Sequence, residues 1–186
     1  MEPERIVSTL IELSQQVLPI IEANVFLFDA SEKRLLPLTS HGSDRLIGEA
    51  QQHLESGIVD WVFSEKKTVI IPDLANMMGD GAPQNFVIVP LALRSKDVGI
   101  YLIHTQKPQQ EFSSQDMQLL TVLANQAAAG VENWRSHYQL DKANQELKAS
   151  QAQMMQAGKL VALGELAASI VHEIKNPIQI LMMHLD

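Results

Sequence analysis

The chain has 186 residues, and its 14 Lys and Arg against 22 Asp and Glu give a net charge of −8 with histidine neutral. An apolar fraction of 46% with 19% charged residues is globular composition, long enough for one domain with an appendage or for two small domains. Scattered, outnumbered basic residues exclude a phosphate-tracking nucleic-acid surface, and the lack of cysteine excludes disulfides, thiolate metal sites, iron–sulfur clusters and a thioether-linked pigment.

The spacing of Ile6, Val7, Leu10, Leu13, Val17 and Leu18 predicts a helix over 4–20, closed by Pro19. The run 24–29, rich in β-branched and aromatic residues, and the segment 34–40 read as a hairpin turning at Asp29, Ala30 and Ser31. A helical region interrupted at Gly57 follows over 44–66, then a short strand 68–72 ended by proline. Residues 73–84, with Asn76, Gly79, Gly81 and Pro83, read as a loop long enough for binding. Strands at 86–94 and 98–105 complete the set. In the last strand Val98, Ile100, Leu102 and His104 alternate with Gly99, Tyr101, Ile103 and Thr105, and apolar residues on both faces place it centrally. Helix, two strands, helix and three strands joined by hairpins predict an α+β fold, a mostly antiparallel sheet with packed helices.

After residue 113 only Gly130, Gly158, Gly164 and Pro177 interrupt a sequence rich in Ala, Leu, Gln and Glu. Ser113 and Asp116 form a capping-box pair, with Phe112 placed to staple onto Met117. A helix from there to the end would span on the order of 100 Å at ~1.5 Å per residue, and so needs a partner. Met117, Leu120, Ala124, Ala127, Val131, Trp134 and Tyr138 form one 3-4 seam, and Leu160, Leu163, Ala167, Ile170, Ile174 and Leu181 another. Leu140, Leu147 and Met154 fit neither register. The break reads either as an imperfectly packed rod or as an adjustable junction. A parallel dimeric coiled coil is the expected arrangement.

With Leu160 and Leu163 at the a and d positions, His172 falls at f, away from the seam. A neutral imidazole there is a nucleophile, and the adjacent Glu173 can hold its tautomer and accept a proton. Asn176, one turn on, either orients a water or hydrogen-bonds the chain. Pro177 removes the helical partner of the Glu173 carbonyl, so the helix either bends or ends there.

The segment 159–177, KLVALGELAASIVHEIKNP, resembles the H-box of the dimerisation and phosphotransfer domain of sensor histidine kinases. The resemblance implies His172 as phosphoacceptor, Glu173 as assisting base and Asn176 as a residue of phosphatase action. Residues 1–112 resemble a GAF sensory domain in element order. The family's Asn-Lys-Phe-Asp-Glu cyclic-nucleotide constellation and its bilin cysteine are not recognisable. By that analogy a small-molecule ligand would sit between the sheet and segment 73–85, with His41, Asn76, Asn85 and His104 as candidate contacts and no metal site. The expected domains are 1–112, sensory; 113–158, signalling helix; and 159–186, the first helix of a phosphotransfer four-helix bundle.

The expected function is that of the amino-terminal part of a sensor histidine kinase whose parent uses ATP and Mg to phosphorylate His172, then passes phosphate to a response-regulator receiver domain. The sequence lacks phosphate-binding glycine loops, so no cofactor and no independent kinase activity are expected of this portion. Its end at 178–186, inside an amphipathic pattern, reads as part of something longer. A non-catalytic dimerisation adaptor with a vestigial His172 is the alternative. A cytoplasmic location is expected, because no apolar stretch reaches roughly 18 residues and the start, Met1-Glu2-Pro3-Glu4, is acidic.

Overall fold

The structure, a computed structural model, describes residues 2–40, 42–75, 83–93 and 96–183. The chain divides into two compact units, Met1–Ser136 and His137–Asp186.

In the first unit, α1 (Pro3–Ser14) starts with proline in its first turn, where a missing N–H costs no helical bond, and buries Ile6, Val7 and Leu10. It stops earlier than its apolar spacing suggests. Leu18 is still buried, but from the turn that follows, and β1 (Ile20–Asp29) begins directly after Pro19. Pairing of Ile20 with Thr105 outweighs local helix preference here. β1 turns into β2 (Arg34–Pro37) through Asp29, whose Oδ1 accepts from the Ser31 N–H at 3.0 Å and the Ser31 hydroxyl at 2.6 Å. Those bonds hold the Asp29 carboxyl below its usual pKa.

Ser43 caps α2 (Asp44–Glu55), its Oγ accepting from the Leu46 N–H at 3.2 Å. Gly57, at φ +79, separates α2 from α3 (Ile58–Glu65), a conformation open to glycine without a Cβ penalty. β3 (Val69–Pro72), β4 (Asn85–Leu93) and β5 (Lys96–Thr105) complete a five-stranded sheet of order β2-β1-β5-β4-β3, every pairing antiparallel. β5 is central, as its two apolar faces require.

Alternation along the strands sends Phe26, Phe86, Ile88, Ile100 and Leu102 to one face, beneath Leu46, Ala50 and Leu54 of α2 and Val59, Val62 and Phe63 of α3. The other face carries Val25, Val87, Val89, Tyr101 and Ile103 beneath α1. Val98 belongs to this second face rather than to that of Ile100. Leu91 pairs with Gly99 and Ala92 with Asp97, so Val98 is the extra residue of a bulge that reverses the alternation. Beside it, a Cβ on Gly99 would stand 2.0 Å from the Phe26 carbonyl oxygen, so the close approach of β1 and β5 there requires glycine.

A short 3-10 turn at Gln109–Glu111 leads into α4 (Ser114–Met183). Its capping box forms as predicted: the Asp116 N–H donates to Ser113 Oγ at 3.1 Å and the Ser113 N–H to Asp116 Oδ2 at 2.9 Å. The first seam of α4 has a different partner from the one its spacing suggests. Leu120, Ala124, Ala127, Ala128 and Val131 are buried against the sheet and α1 of the same chain. Periodicity shows that a helix face is covered, but not by what.

In the second unit α4 remains helical past Pro177 to Met183, so the proline does not end it. Large apolar side chains stand largely in solvent there, with Leu140 60%, Leu147 56%, Leu160 66% and Leu163 63% exposed. Among the described residues, no helix is long and apolar enough to cross a membrane.

Candidate functional site

The sheet face beneath α2 is apolar along most of its length but changes character at one end. There the strand register aligns Glu22 of β1, His104 of β5 and Phe86 of β4 across three adjacent strands. Asp73 follows β3 directly, its N–H donating to the Gln84 carbonyl at 2.9 Å. From above, α2 contributes Arg45, Glu49 and His53.

Asp73 is the hub. Its carboxylate, 1% exposed, receives the Arg45 guanidinium and, at 3.1 Å, His104 Nε2. A carboxylate only accepts, so in the neutral ring Nε2 carries the proton and Nδ1 the lone pair. The imidazole stacks on Phe86 with ring centres 4.6 Å apart, and Arg45 lies 5.7 Å from the centre of the same ring. His104 Nδ1, buried and without a hydrogen bond, stands 3.8 Å from Glu22 Oε1. The other Glu22 oxygen accepts from the Ser43 hydroxyl at 2.7 Å. His53 packs edge-on to Phe86, its Nε2 3.7 Å from Glu49 Oε2, and burial pushes its pKa below the usual 6.5.

Of the predicted contacts, His104 lies at the centre of this cluster. Asn85 is buried but is spent on structure: its Nδ2 donates to the Lys107 carbonyl at 2.8 Å, and alternation places it on the opposite face from His104. His41 and Asn76 lie outside the described residues. The backbone of His172, Glu173 and Asn176 is helical within α4, and their side chains lie outside the described ones. Sequence reasoning missed Glu22, Arg45, Glu49, His53, Asp73 and Phe86. Only the i,i+4 spacing of Glu49 and His53 offered a local signal; the others come together through the sheet register.

The other face holds a groove of about 310 Å³ between α1 and the start of α4, with Arg5, Thr9 and Gln126 as its polar lining. Among the described residues, no three side chains converge as a metal site.

The sheet order, with helices on both faces, has counterparts among known proteins. Residues 1–132 match the sequence profile of the GAF domain. The chain belongs to the GAF domain family. Solved structures agree on the fold. A domain from Sinorhizobium meliloti 1021, described as part of a two-component sensor histidine kinase protein, superimposes with a TM-score of 0.54 at 15% identity, covering 74% of this chain and 96% of that one. A GAF domain/HD domain protein from Geobacter sulfurreducens gives 0.53 at 15% identity, covering 75% and 95%. The photoproduct state of GAF3 from Slr1393 of Synechocystis sp. PCC6803 gives 0.50 at 10% identity, covering 74% and 98%. No curated protein matches the chain.

Proposed function

We propose that this GAF domain senses a small molecule and controls phosphorylation of His172 in a sensor histidine kinase. The observation that carries the reading is the His-Glu-x-x-Asn-Pro element at 172–177, on the helix that also begins in the core of the GAF domain. His172 Nε2 or Nδ1 attacks the γ-phosphorus of ATP bound in a separate catalytic domain, with ADP leaving. Glu173 takes the ring proton, and the phosphoryl group then moves to a receiver-domain aspartate. Asn176 orients the water that removes it in the phosphatase direction. The expected domain layout is 1–112, 113–158 and 159–186.

A run of hydrogen bonds within the first unit supports this reading. His104 is followed by Thr105, whose hydroxyl accepts from the Lys107 N–H at 3.0 Å, and Lys107 Nζ donates to Asp116 Oδ2 at 2.8 Å in the cap of α4. A change at His104 therefore has only a few bonded steps to the helix start.

The exposed Leu160, Leu163 and Ile170 of the second seam support a homodimer through the helix. Light scattering at micromolar concentration should give twice the chain mass; a monomer would reject that arrangement. The kinase reading is tested by joining a histidine-kinase catalytic domain in cis and supplying ATP. Acid-labile phosphate should appear on the wild-type chain and vanish in His172→Gln. Its absence from the wild type, or its retention in the variant, rejects the assignment.

A further inference from the structure

We infer that the groove between α1 and the start of α4 binds a small aliphatic carboxylate, with its acid group at Arg5 and its chain between the two helices. The inference rests on the reading that this domain senses a small molecule, and it adds both the place and the chemical class.

The groove exists because the two helices meet through unequal side chains. Ile6 of α1 faces Gly130 of α4, where even an added Cβ would stay 3.6 Å from the nearest Ile6 carbon, so α4 has no side chain to fill the space beside it. Ala127, nearly one turn earlier on the same face, is small as well. The lining runs from Arg5 to Leu13 on α1 and from Leu123 to Gly130 on α4. With Ile6 against Gly130, the helices are antiparallel there and Leu13 lies at the Leu123 end. The groove is therefore about 11 Å long at ~1.5 Å per residue, cationic at one end and apolar at the other.

Charge selects an acid. Arg5 is the one charged side chain of the lining, and among the described residues it makes no ion pair, although Glu2 and Glu4 neighbour it in the chain. The first turn of α1 lies at the same end, and its N-cap, Glu2, makes no side-chain bond to the free N–H groups, so the helix adds positive potential to that of the guanidinium. A carboxylate there gains charge-assisted hydrogen bonds, whereas an amine meets a like charge. Size follows from volume: about 310 Å³ is the share of roughly ten waters at ~30 Å³ each, which admits a ligand of about ten non-hydrogen atoms, such as octanoate. Leu10 and Leu123 take its chain, and Leu13, 42% exposed, leaves that end open to solvent. An occupant held there touches α4, which continues unbroken to Met183.

The test uses the intact chain labelled with 15N-tryptophan, whose indole N–H signals report two places. Trp134 lies one turn beyond Gly130 and packs on the core beneath α1, whereas Trp61 is in α3. Octanoate should shift the Trp134 signal saturably, with a Kd near about 1 mM, and leave Trp61 in place. Hexanoate should bind about tenfold more weakly, at roughly three- to fourfold per methylene. Arg5→Gln should weaken octanoate at least about fivefold and leave octanol unchanged, while Lys67→Gln, the same charge change away from this groove, has no effect. Gly130→Leu, which fills the groove, should abolish binding. Octanol binding as tightly as octanoate, or an unchanged affinity in Arg5→Gln, overturns the acid class. No saturable shift, a shift at Trp61 in place of Trp134, or full binding by Gly130→Leu overturns the site. So does a fall from dimer to monomer mass on adding octanoate in light scattering, which would put a second copy of the chain in the groove. Octanoate that binds as described but leaves His172 phosphorylation unchanged in the joined kinase supports the groove and rejects the sensory reading.

Discussion

Replacing Gly99 with alanine would place a methyl carbon 2.0 Å from the Phe26 carbonyl oxygen and 3.0 Å from Leu27 Cα. Real Cβ contacts do not come under 3.0 Å, so β1 and β5 must separate by about 1 Å where Phe26 pairs with Ile100 and Leu27 with Gly99. Both neighbours are backbone and both strands lie inside the sheet, so no flexible side chain can yield. Loss of roughly two ladder hydrogen bonds at about 1 kcal/mol each, with about 1–3 kcal/mol for displacing the packed layers, is offset by about 0.4–1 kcal/mol from a stiffer unfolded chain. The expected net loss is about 3 kcal/mol. Urea unfolding followed by fluorescence of Trp61 and Trp134, both in the first unit, should show the midpoint falling by about 1.5 M for a slope near 2 kcal/mol/M. Gly48→Ala is the control of opposite sign. It lies in α2 with nothing within 4 Å of a new Cβ, so helix propensity should raise stability by about 1 kcal/mol. A Gly99→Ala protein within 1 kcal/mol of the wild type, by the same ~1 kcal/mol resolution, would refute the close-approach argument.

Two further outcomes concern pH. Burial lowers the His53 pKa, so the native state keeps the ring neutral while the unfolded chain takes up a proton. The resulting stability is complete above pH 6.5 and declines as pH falls toward the lowered native value; His53→Phe should flatten that slope in urea melts across this window. Asp116 has a lowered pKa through its hydrogen bond from Lys107 and then through that from the Ser113 backbone. Asp116→Ala should cost about 1 kcal/mol at neutral pH and speed amide exchange in the first turn of α4. Because the native pKa is depressed, the difference between variant and wild type should persist above pH 3.8 and shrink as pH falls below it.

Local chemistry was enough to foresee several features. Ser113 and Asp116 can cap a helix wherever they stand, Gly57 breaks a helix by its own conformational freedom, and Asp29 with Ser31 turns a hairpin without outside help. The apolar alternation of β5 likewise announced a central strand, because a strand with two dry faces needs a layer on each. The sequence alone also carries the His-Glu-x-x-Asn-Pro element, since a helical motif places its members by spacing.

Other features depended on partners distant in the chain. The bulge at Val98 follows from how Leu91 and Ala92 pair, and the early end of α1 from a bond made across the sheet to Thr105. The seam of Leu120 and Ala124 looked like one half of a dimer because 3.6-residue periodicity is the same whether the covering surface is a second helix or a sheet. The polar cluster was the least visible. Glu22, Arg45, Asp73, Phe86 and His104 are spread over more than eighty residues and meet only because four strand ends and one helix converge. Residue type and spacing determine what an element does for itself; which charges end up facing one another is decided only when the sheet closes its register.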